Sequence, residues 1–289
     1  MRNPYVHLPE ELLRLVACFT GVERDISSLA RTCTYYYSSL NAFLYQHNSL
    51  QRGSSALLWA AKWGMEKTAR ISIENNADAD SKDSNGETPL LAAARHGHIA
   101  VAKLLLETGR VDADSKGPHG ETPLLAAARY GHEAVVKLLF DTGRVDVNSK
   151  YAYETPLFRA ACYGHPAVVK LLLETGRVDV QPKDDPTGWT PLYVAAWHGY
   201  EAVVKLLLAT DGVDADPKDS NGWTPLLRAA QEGHEAVVEC LLETGVVVVQ
   251  PEEGVHGWTP LSAATQNGHK AVVELLQWSE WRSFWNRAG

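Results

Sequence analysis

Cys162 and His198 are the residues of this chain whose types and positions suggest covalent chemistry. Each lies one or two residues before a glycine, and Tyr130 and Tyr163 occupy comparable positions. A thiol close to an imidazole can act as a nucleophile. The sequence offers no readable third partner or oxyanion hole, and it lacks GxGxxG, Walker-type, HExxH and GxSxG motifs. We therefore predict a non-enzyme without cofactor or metal, with a site near Cys162 and His198 as a minor alternative.

Charge and composition exclude several other classes of protein. The 289 residues include 27 Lys and Arg and 35 Asp and Glu, so the formal net charge is −8. This sign disfavours binding to nucleic acid, which needs clustered basic residues, and to an anionic membrane surface. No apolar run approaches the ~20 residues of a membrane helix, and the start of the chain lacks a signal-like apolar region. Four widely spaced cysteines indicate a reducing compartment. We expect an intracellular monomer, cytoplasmic or nuclear.

A recurring segment organises most of the chain. The tripeptide Thr-Pro-Leu recurs in steps of 34, 33, 35, 34 and 35 residues, beginning at Thr88, Thr122, Thr155, Thr190, Thr224 and Thr259. Glycine follows each of these threonines by nine residues, and histidine follows that glycine everywhere except at Tyr200. A degenerate copy, Ser55-Ala56-Leu57 with Gly64, lies one period upstream. The chain therefore holds seven related units.

Each unit predicts two short helices. Thr88 is a favourable N-cap, Pro89 suits the first helical position, and Gly97 suits the residue that ends the helix. A second helix follows, with Val101, Leu104 and Leu105 at helical spacing on one face. One helix pair cannot bury its apolar side alone, so the units must stack. The fold class is therefore an all-α solenoid.

These residues resemble the ankyrin repeat. The resemblance rests on Asp83–Leu90, then Ala93-Ala94, Gly97-His98 and Leu104-Leu105-Leu106. It implies an ankyrin domain over 51–289, with repeats near 52–84, 85–118, 119–151, 152–186, 187–220, 221–255 and 256–289. The chain departs from the family where histidine usually follows Thr-Pro-Leu, since it has Leu91, Leu125, Phe158, Tyr193, Leu227 or Ser262 there. Tyr153 also replaces a hairpin glycine, which puts that turn in doubt.

The resemblance implies a binding surface on the concave side, formed by hairpin tips and first helices. Glutamates at the tips (Glu87, Glu121, Glu154) accompany Arg and His in one half, and tryptophans occupy the tips in the other half. The predicted partner-binding residues are Trp63, Arg95, His96, Arg129, Tyr130, Tyr163, Trp189, Trp197, His198, Trp223 and Trp258. The tip tryptophans have the alternative of packing over their own hairpins. The histidines that follow the periodic glycines are predicted to be framework residues.

The last unit ends in an aromatic segment. Trp278, Trp281, Phe284 and Trp285 fall at helical spacing. We predict that they form a last helix that covers the end of the stack with these rings buried. Docking of the tail elsewhere is the alternative.

Residues 1–50 lie outside the repeat and predict three short amphipathic helices. Leu8-Pro9-x-Glu11-Leu12-Leu13, followed by Ile26-x-x-Leu29-Ala30-x-x-Cys33, resembles an F-box. That resemblance implies docking through Leu8, Pro9, Leu12 and Leu13 onto the Skp-type adaptor of a cullin–RING ubiquitin ligase. The chain would then be a substrate receptor that holds a target protein on its ankyrin face. The alternative is a stand-alone ankyrin scaffold or inhibitory binding protein whose N-terminal helices only cap the stack.

Overall fold

The computed structural model describes residues 55–181, 186–247 and 257–288. The chain divides into two compact units, residues 1–117 and 118–289. Over the described ranges it is all-helical, with an isolated bridge between Tyr151 and Glu154 in place of any strand. The first unit contains α1 Ser55–Trp63, α2 Glu66–Glu74, α3 Pro89–His96 and α4 Ile99–Glu107.

The second unit repeats the same helix pair five times. After a 3-10 turn at Pro118–Gly120, its helices are α5 Pro123–Arg129, α6 Glu133–Asp141, α7 Pro156–Cys162, α8 Pro166–Glu174, α9 Pro191–Trp197, α10 Glu201–Leu208, α11 Pro225–Glu232, α12 Glu235–Glu243, α13 Pro260–Gln266 and α14 Lys270–Ala288. The predicted all-α repeat architecture is confirmed.

Threonine caps begin the first helix of each Thr-Pro-Leu repeat. Thr88 has extended backbone, and its side-chain oxygen accepts a hydrogen bond from Leu91 N at 3.2 Å. The following proline needs no such acceptor because it carries no N–H. Gly97 then ends α3 in the left-handed conformation, with φ of 73°. The sequence pattern therefore fixes both ends of this short helix.

Like helices pack on like helices within the second unit. The first helices α5, α7, α9, α11 and α13 pack in a row, as do the second helices α6, α8, α10, α12 and α14. The space between the two rows is filled by leucine, valine and alanine. Leu124, Ala127, Val136 and Leu139 are fully buried there. Small alanines on the first helices let neighbouring backbones approach closely.

The periodic histidines connect consecutive repeats, as a framework role predicts. His234 Nε2 lies 3.0 Å from the carbonyl oxygen of Trp197 in the preceding repeat. The same ring lies directly over Gly199, where an added Cβ would be 2.5 Å from Nδ1. His98, His165 and His269 make the equivalent carbonyl contact. Each histidine thus needs a glycine beneath it, which explains why the two residues share one period.

The hairpin without glycine still forms a closed turn. Ala152 and Tyr153 both adopt positive φ, 49° and 74°. Tyr151 and Glu154 exchange reciprocal backbone hydrogen bonds of 3.1 and 2.9 Å across them. Positive φ at both central residues is the conformation of hairpin turns that match strand twist. Tyr153 itself is exposed to solvent.

The aromatic segment forms a helix, but two of its rings are not buried. α14 extends to Ala288, which confirms the predicted last helix. Trp278 and Trp281 are 63% and 68% exposed, so the prediction that these rings are buried is wrong for them. Their spacing places them on a side of α14 that no other described helix covers, and Arg282 packs over Trp278 at 5.5 Å. The helices that the structure describes include none long and apolar enough to cross a membrane.

Candidate functional site

The residues proposed for partner binding lie at two places in each repeat. One is the C-terminal end of the first helix, and the other is the residue before the capping threonine. We call the surface formed by these positions within one unit the first-helix face. In the first unit it carries Trp63, which is half exposed, and His96, whose ring stacks on His98 at 6.0 Å. Arg95 is held there by Glu87 through a 2.6 Å ion pair.

In the second unit a buried arginine joins two repeats. The Arg159 side chain is 2% exposed, and its Nη1 donates to Glu121 at 2.9 Å. Its Nε lies 2.9 Å from the carboxylate of Glu154, and its guanidinium packs over the Tyr151 ring at 4.8 Å. A guanidinium removed from water requires such compensation by opposite charge. Glu121 and Glu154 are therefore internal partners of Arg159 as well as neighbours of the capping threonines.

Arg129, on the first-helix face, contacts two aromatic rings. Its guanidinium packs against the rings of Tyr130 and Tyr163, at 5.6 and 5.1 Å from their centroids. These tyrosines are 45% and 44% exposed, so they present ring surface to solvent. The carbonyl oxygen of Arg129 is the acceptor for the framework histidine His165.

The tryptophans and Arg228 form a cluster between the repeats that contain Thr190 and Thr224. The Arg228 guanidinium lies 4.0 Å from the Trp223 ring centroid and 4.6 Å from that of Trp197. Trp189 meets Trp197 edge to face at 5.4 Å and stacks with Tyr193 at 6.2 Å. All three tryptophans are half-buried. The tip tryptophans therefore pack on the first helices and still offer part of each ring to solvent.

Tyr193 supplies a buried polar link beneath this cluster. Its hydroxyl donates to the Asp219 carboxylate at 2.8 Å and accepts from Arg228 Nε at 2.7 Å. Burial raises the pKa of Tyr193 far above its ordinary value, which keeps the phenol protonated as the donor. The other Asp219 oxygen accepts from the backbone N–H groups of Asn221 and Trp223 at 2.8 Å. Tyr193 thus takes a hydrogen-bonding role at the position where the ankyrin repeat, which the sequence resembles, usually has histidine.

Trp258 and the N-terminal residues complete the predicted set. Trp258 is half-buried, immediately before the capping Thr259. The adaptor-binding residues predicted from sequence, Leu8, Pro9, Leu12 and Leu13, lie outside the described residues.

Cys162 and His198 do not show the features of an activated nucleophile. Burial, followed by the negative charge of Glu154, raises the pKa of Cys162 above its ordinary value, although Arg129 and Arg159 oppose that shift. A raised pKa leaves less thiolate at neutral pH. His198 is exposed, and its Nδ1 lies 2.8 Å from the carbonyl oxygen of Val194 in its own helix. The described residues contain no group of acidic, histidine or cysteine side chains arranged to hold a metal ion.

Sequence reasoning missed Arg159 and Arg228. Both stand four residues after the capping threonine, where three of the other repeats have alanine. Comparing the repeats in register shows the substitution of a small apolar residue by a long charged one. That contrast was the available signal for a buried polar network.

We expect Tyr193→Phe to lower the free energy of unfolding by about 1–3 kcal/mol. The change removes the donor to Asp219 and the acceptor for Arg228 while it keeps the ring. Tyr163→Phe is the matched control because its half-exposed ring makes no hydrogen bond through its hydroxyl in the part of the chain described. Urea denaturation followed by circular dichroism measures both; equal midpoints for the two variants would contradict the polar link.

Comparison with known proteins agrees with this architecture. A family model described as ankyrin repeats, in three copies, matches residues 29–116, 57–151, 143–219 and 209–280. Among solved structures, the crystal structure of the human ASB11 ankyrin repeat domain is similar, with a TM-score of 0.68 and 27% sequence identity. The similarity covers 77% of this chain and 97% of that one. No curated protein sequence matches the chain.

Proposed function

Because this chain belongs to the ankyrin-repeat family, whose repeats indicate a protein–protein interaction module, we propose that it captures a protein target on the first-helix face of its second unit. The observation that carries this proposal is the row of partly exposed aromatic rings and arginines on that face. Tyr130 and Tyr163 are the most exposed of the row, and Trp189, Trp197 and Trp223 accompany them. The ankyrin fold is in general a binding scaffold without catalytic activity.

The chemistry of this row suits an interface. Aromatic and arginine side chains are the residues that most often supply the binding energy at protein interfaces. The rings of Trp189 and Trp197 already contact one another, and Arg228 packs on Trp197. Side chains ordered in advance lose less conformational freedom when a partner binds. This face therefore offers anchors at a reduced entropic cost.

We further propose that the chain is the substrate receptor of a cullin–RING ubiquitin ligase. Support for this role comes from the F-box-like residues Leu8, Pro9, Leu12 and Leu13, which would bind the Skp-type adaptor. The second unit would then hold the target close to the ligase. Such a receptor acts by raising the effective concentration of the target at the catalytic subunit, without reacting itself.

One co-purification experiment separates the two binding functions. The full chain, Leu8→Ala/Pro9→Ala and Tyr130→Ala/Tyr163→Ala are each incubated with purified Skp-type adaptor and with an extract of the source cells. We expect the first double variant to lose the adaptor and keep the target proteins. We expect the second to keep the adaptor and lose the target proteins, because only its interface aromatics are removed.

A chain that starts at Gln51 provides the control for the alternative role. If the full chain binds no adaptor and the shortened chain becomes insoluble, the N-terminal residues cap the stack and the ligase role is wrong. The protein would then be a stand-alone ankyrin scaffold. Retention of target proteins by Tyr130→Ala/Tyr163→Ala would contradict the proposed face instead.

A further inference from the structure

We propose that Arg129 anchors a carboxylate side chain of the captured protein, so that the second unit selects an acidic segment of its target. This inference rests on the proposed function and specifies the chemistry of the partner. The arginines of the first helices in the second unit differ in their internal partners. Arg159 is neutralised by Glu121 and Glu154, and Arg228 lies 4.0 Å from the buried Asp219 carboxylate.

Arg129 has no such internal carboxylate. Over the described ranges its guanidinium makes neither an ion pair nor a hydrogen bond, and its Nε is shielded from solvent without an acceptor. Its side chain as a whole is half-buried, and the terminal nitrogens retain access to solvent. A partly desolvated guanidinium without an acceptor gains more from an incoming anion than a fully hydrated one.

The flanking tyrosines orient this arginine for recognition. Tyr130 and Tyr163 contact the guanidinium through their rings, at 5.6 and 5.1 Å. An aromatic contact restrains the planar group but does not consume its N–H donors. The donors therefore remain available in the fork geometry that matches a carboxylate. The exposed parts of the two rings can cover apolar atoms next to that carboxylate.

The surrounding charge favours a singly charged carboxylate over a phosphate. Arg129 provides one unpaired positive charge, and the net charge of the chain is −8. Glu121 and Glu154 lie on the same face and are bound to Arg159. A phosphorylated side chain carries a charge of about −1.5 to −2, of which a single guanidinium balances only part, so the remaining negative charge would face the neighbouring carboxylates. The side chain that best suits Arg129 is therefore an aspartate or glutamate of a peptide segment.

Degenerate peptide pools with a fixed central residue test this selection on the full chain. The three pools carry glutamate, glutamine or phosphoserine at the centre. Binding of each fluorescently labelled pool to the protein is measured by fluorescence anisotropy. We expect wild type to bind the glutamate pool about tenfold more tightly than the glutamine pool, the size typical of hydrogen bonds to charged groups. Arg129→Gln should abolish this preference, and Arg129→Lys, which keeps the charge without the planar fork, should reduce it.

Arg144→Gln is the matched control, because Arg144 is an exposed arginine away from the first-helix face. It should keep the wild-type preference.

The proposal is overturned if wild type does not distinguish glutamate from glutamine, if Arg129→Gln keeps the preference, or if the phosphoserine pool is preferred. Equal binding of the glutamate and glutamine pools would show that the chain binds peptides but that Arg129 does not select a carboxylate. Absence of binding to every pool also overturns the anchor, and the adaptor experiment remains an independent test.

Discussion

Replacement of Arg159 by methionine should lower the free energy of unfolding by about 3–5 kcal/mol. Methionine is a flexible apolar residue that can fill much of the space, so the change removes charge more than volume. The Glu121 carboxylate then stays in a buried position without Arg159, and Glu154 loses its 2.9 Å contact. Chemical denaturation of wild type and variant, followed by far-ultraviolet circular dichroism, measures the difference.

Two further variants show whether charge is the cause. Lys205→Met breaks an exposed ion pair with Glu201 and should cost less than about 1 kcal/mol. Glu121→Gln and Glu154→Gln added to Arg159→Met should restore part of the lost stability, because the two carboxylates that Arg159 contacts are then replaced by neutral amides. An Arg159→Met variant as stable as Lys205→Met would show that the buried network contributes little.

Replacement of Gly199 by alanine should also be strongly destabilising. Its φ of 77° costs an alanine about 1–2 kcal/mol. The new Cβ would also lie 2.5 Å from Nδ1 of His234, and relief of that overlap adds about 1–3 kcal/mol. We expect a large drop in the thermal midpoint, because the histidine cannot move without losing its hydrogen bond to Trp197 O.

Gly176→Ala separates the two contributions to this loss. Gly176 has a similar φ of 62°, but nothing lies within 4 Å of an added Cβ. It therefore reports the backbone cost alone. In a His234→Ala background, the additional effect of Gly199→Ala should fall to that of Gly176→Ala. If Gly199→Ala and Gly176→Ala are equally destabilising in the native background, the packing of histidine on glycine is not what requires glycine there.

The repeat was predictable because its signals are local. A capping threonine, a proline at the first turn and a glycine at the end act within one helix, so Thr88, Pro89 and Gly97 can be interpreted from sequence alone. The framework role of the histidines was also predictable from their fixed place in the period. Their partner, a carbonyl oxygen in the preceding repeat, became identifiable only from the fold.

The repeats compared in register single out Arg159 and Arg228, but their partners were not predictable because they come from different repeats. Arg159 finds Glu121 at a separation of 38 residues, and Arg228 finds the Tyr193 hydroxyl at a separation of 35. Nothing local distinguishes these arginines from exposed ones. The prediction that the final tryptophans are buried was wrong although their spacing is a local signal. Helical spacing places Trp278 and Trp281 on one side of α14, but spacing cannot show whether another element covers that side.

Tyr200 makes one junction of the second unit different from its neighbours. Its ring fills the space over Gly164 as a histidine would, yet its hydroxyl makes no hydrogen bond among the described residues. In a one-dimensional array, cooperativity depends on the coupling between adjacent units. Among the described contacts, the junction between α7–α8 and α9–α10 therefore lacks the ring-to-carbonyl hydrogen bond that His165, His234 and His269 make at other junctions. Opening that starts at the C-terminal end can stop at this boundary and leave a partly folded species that retains the repeats before it.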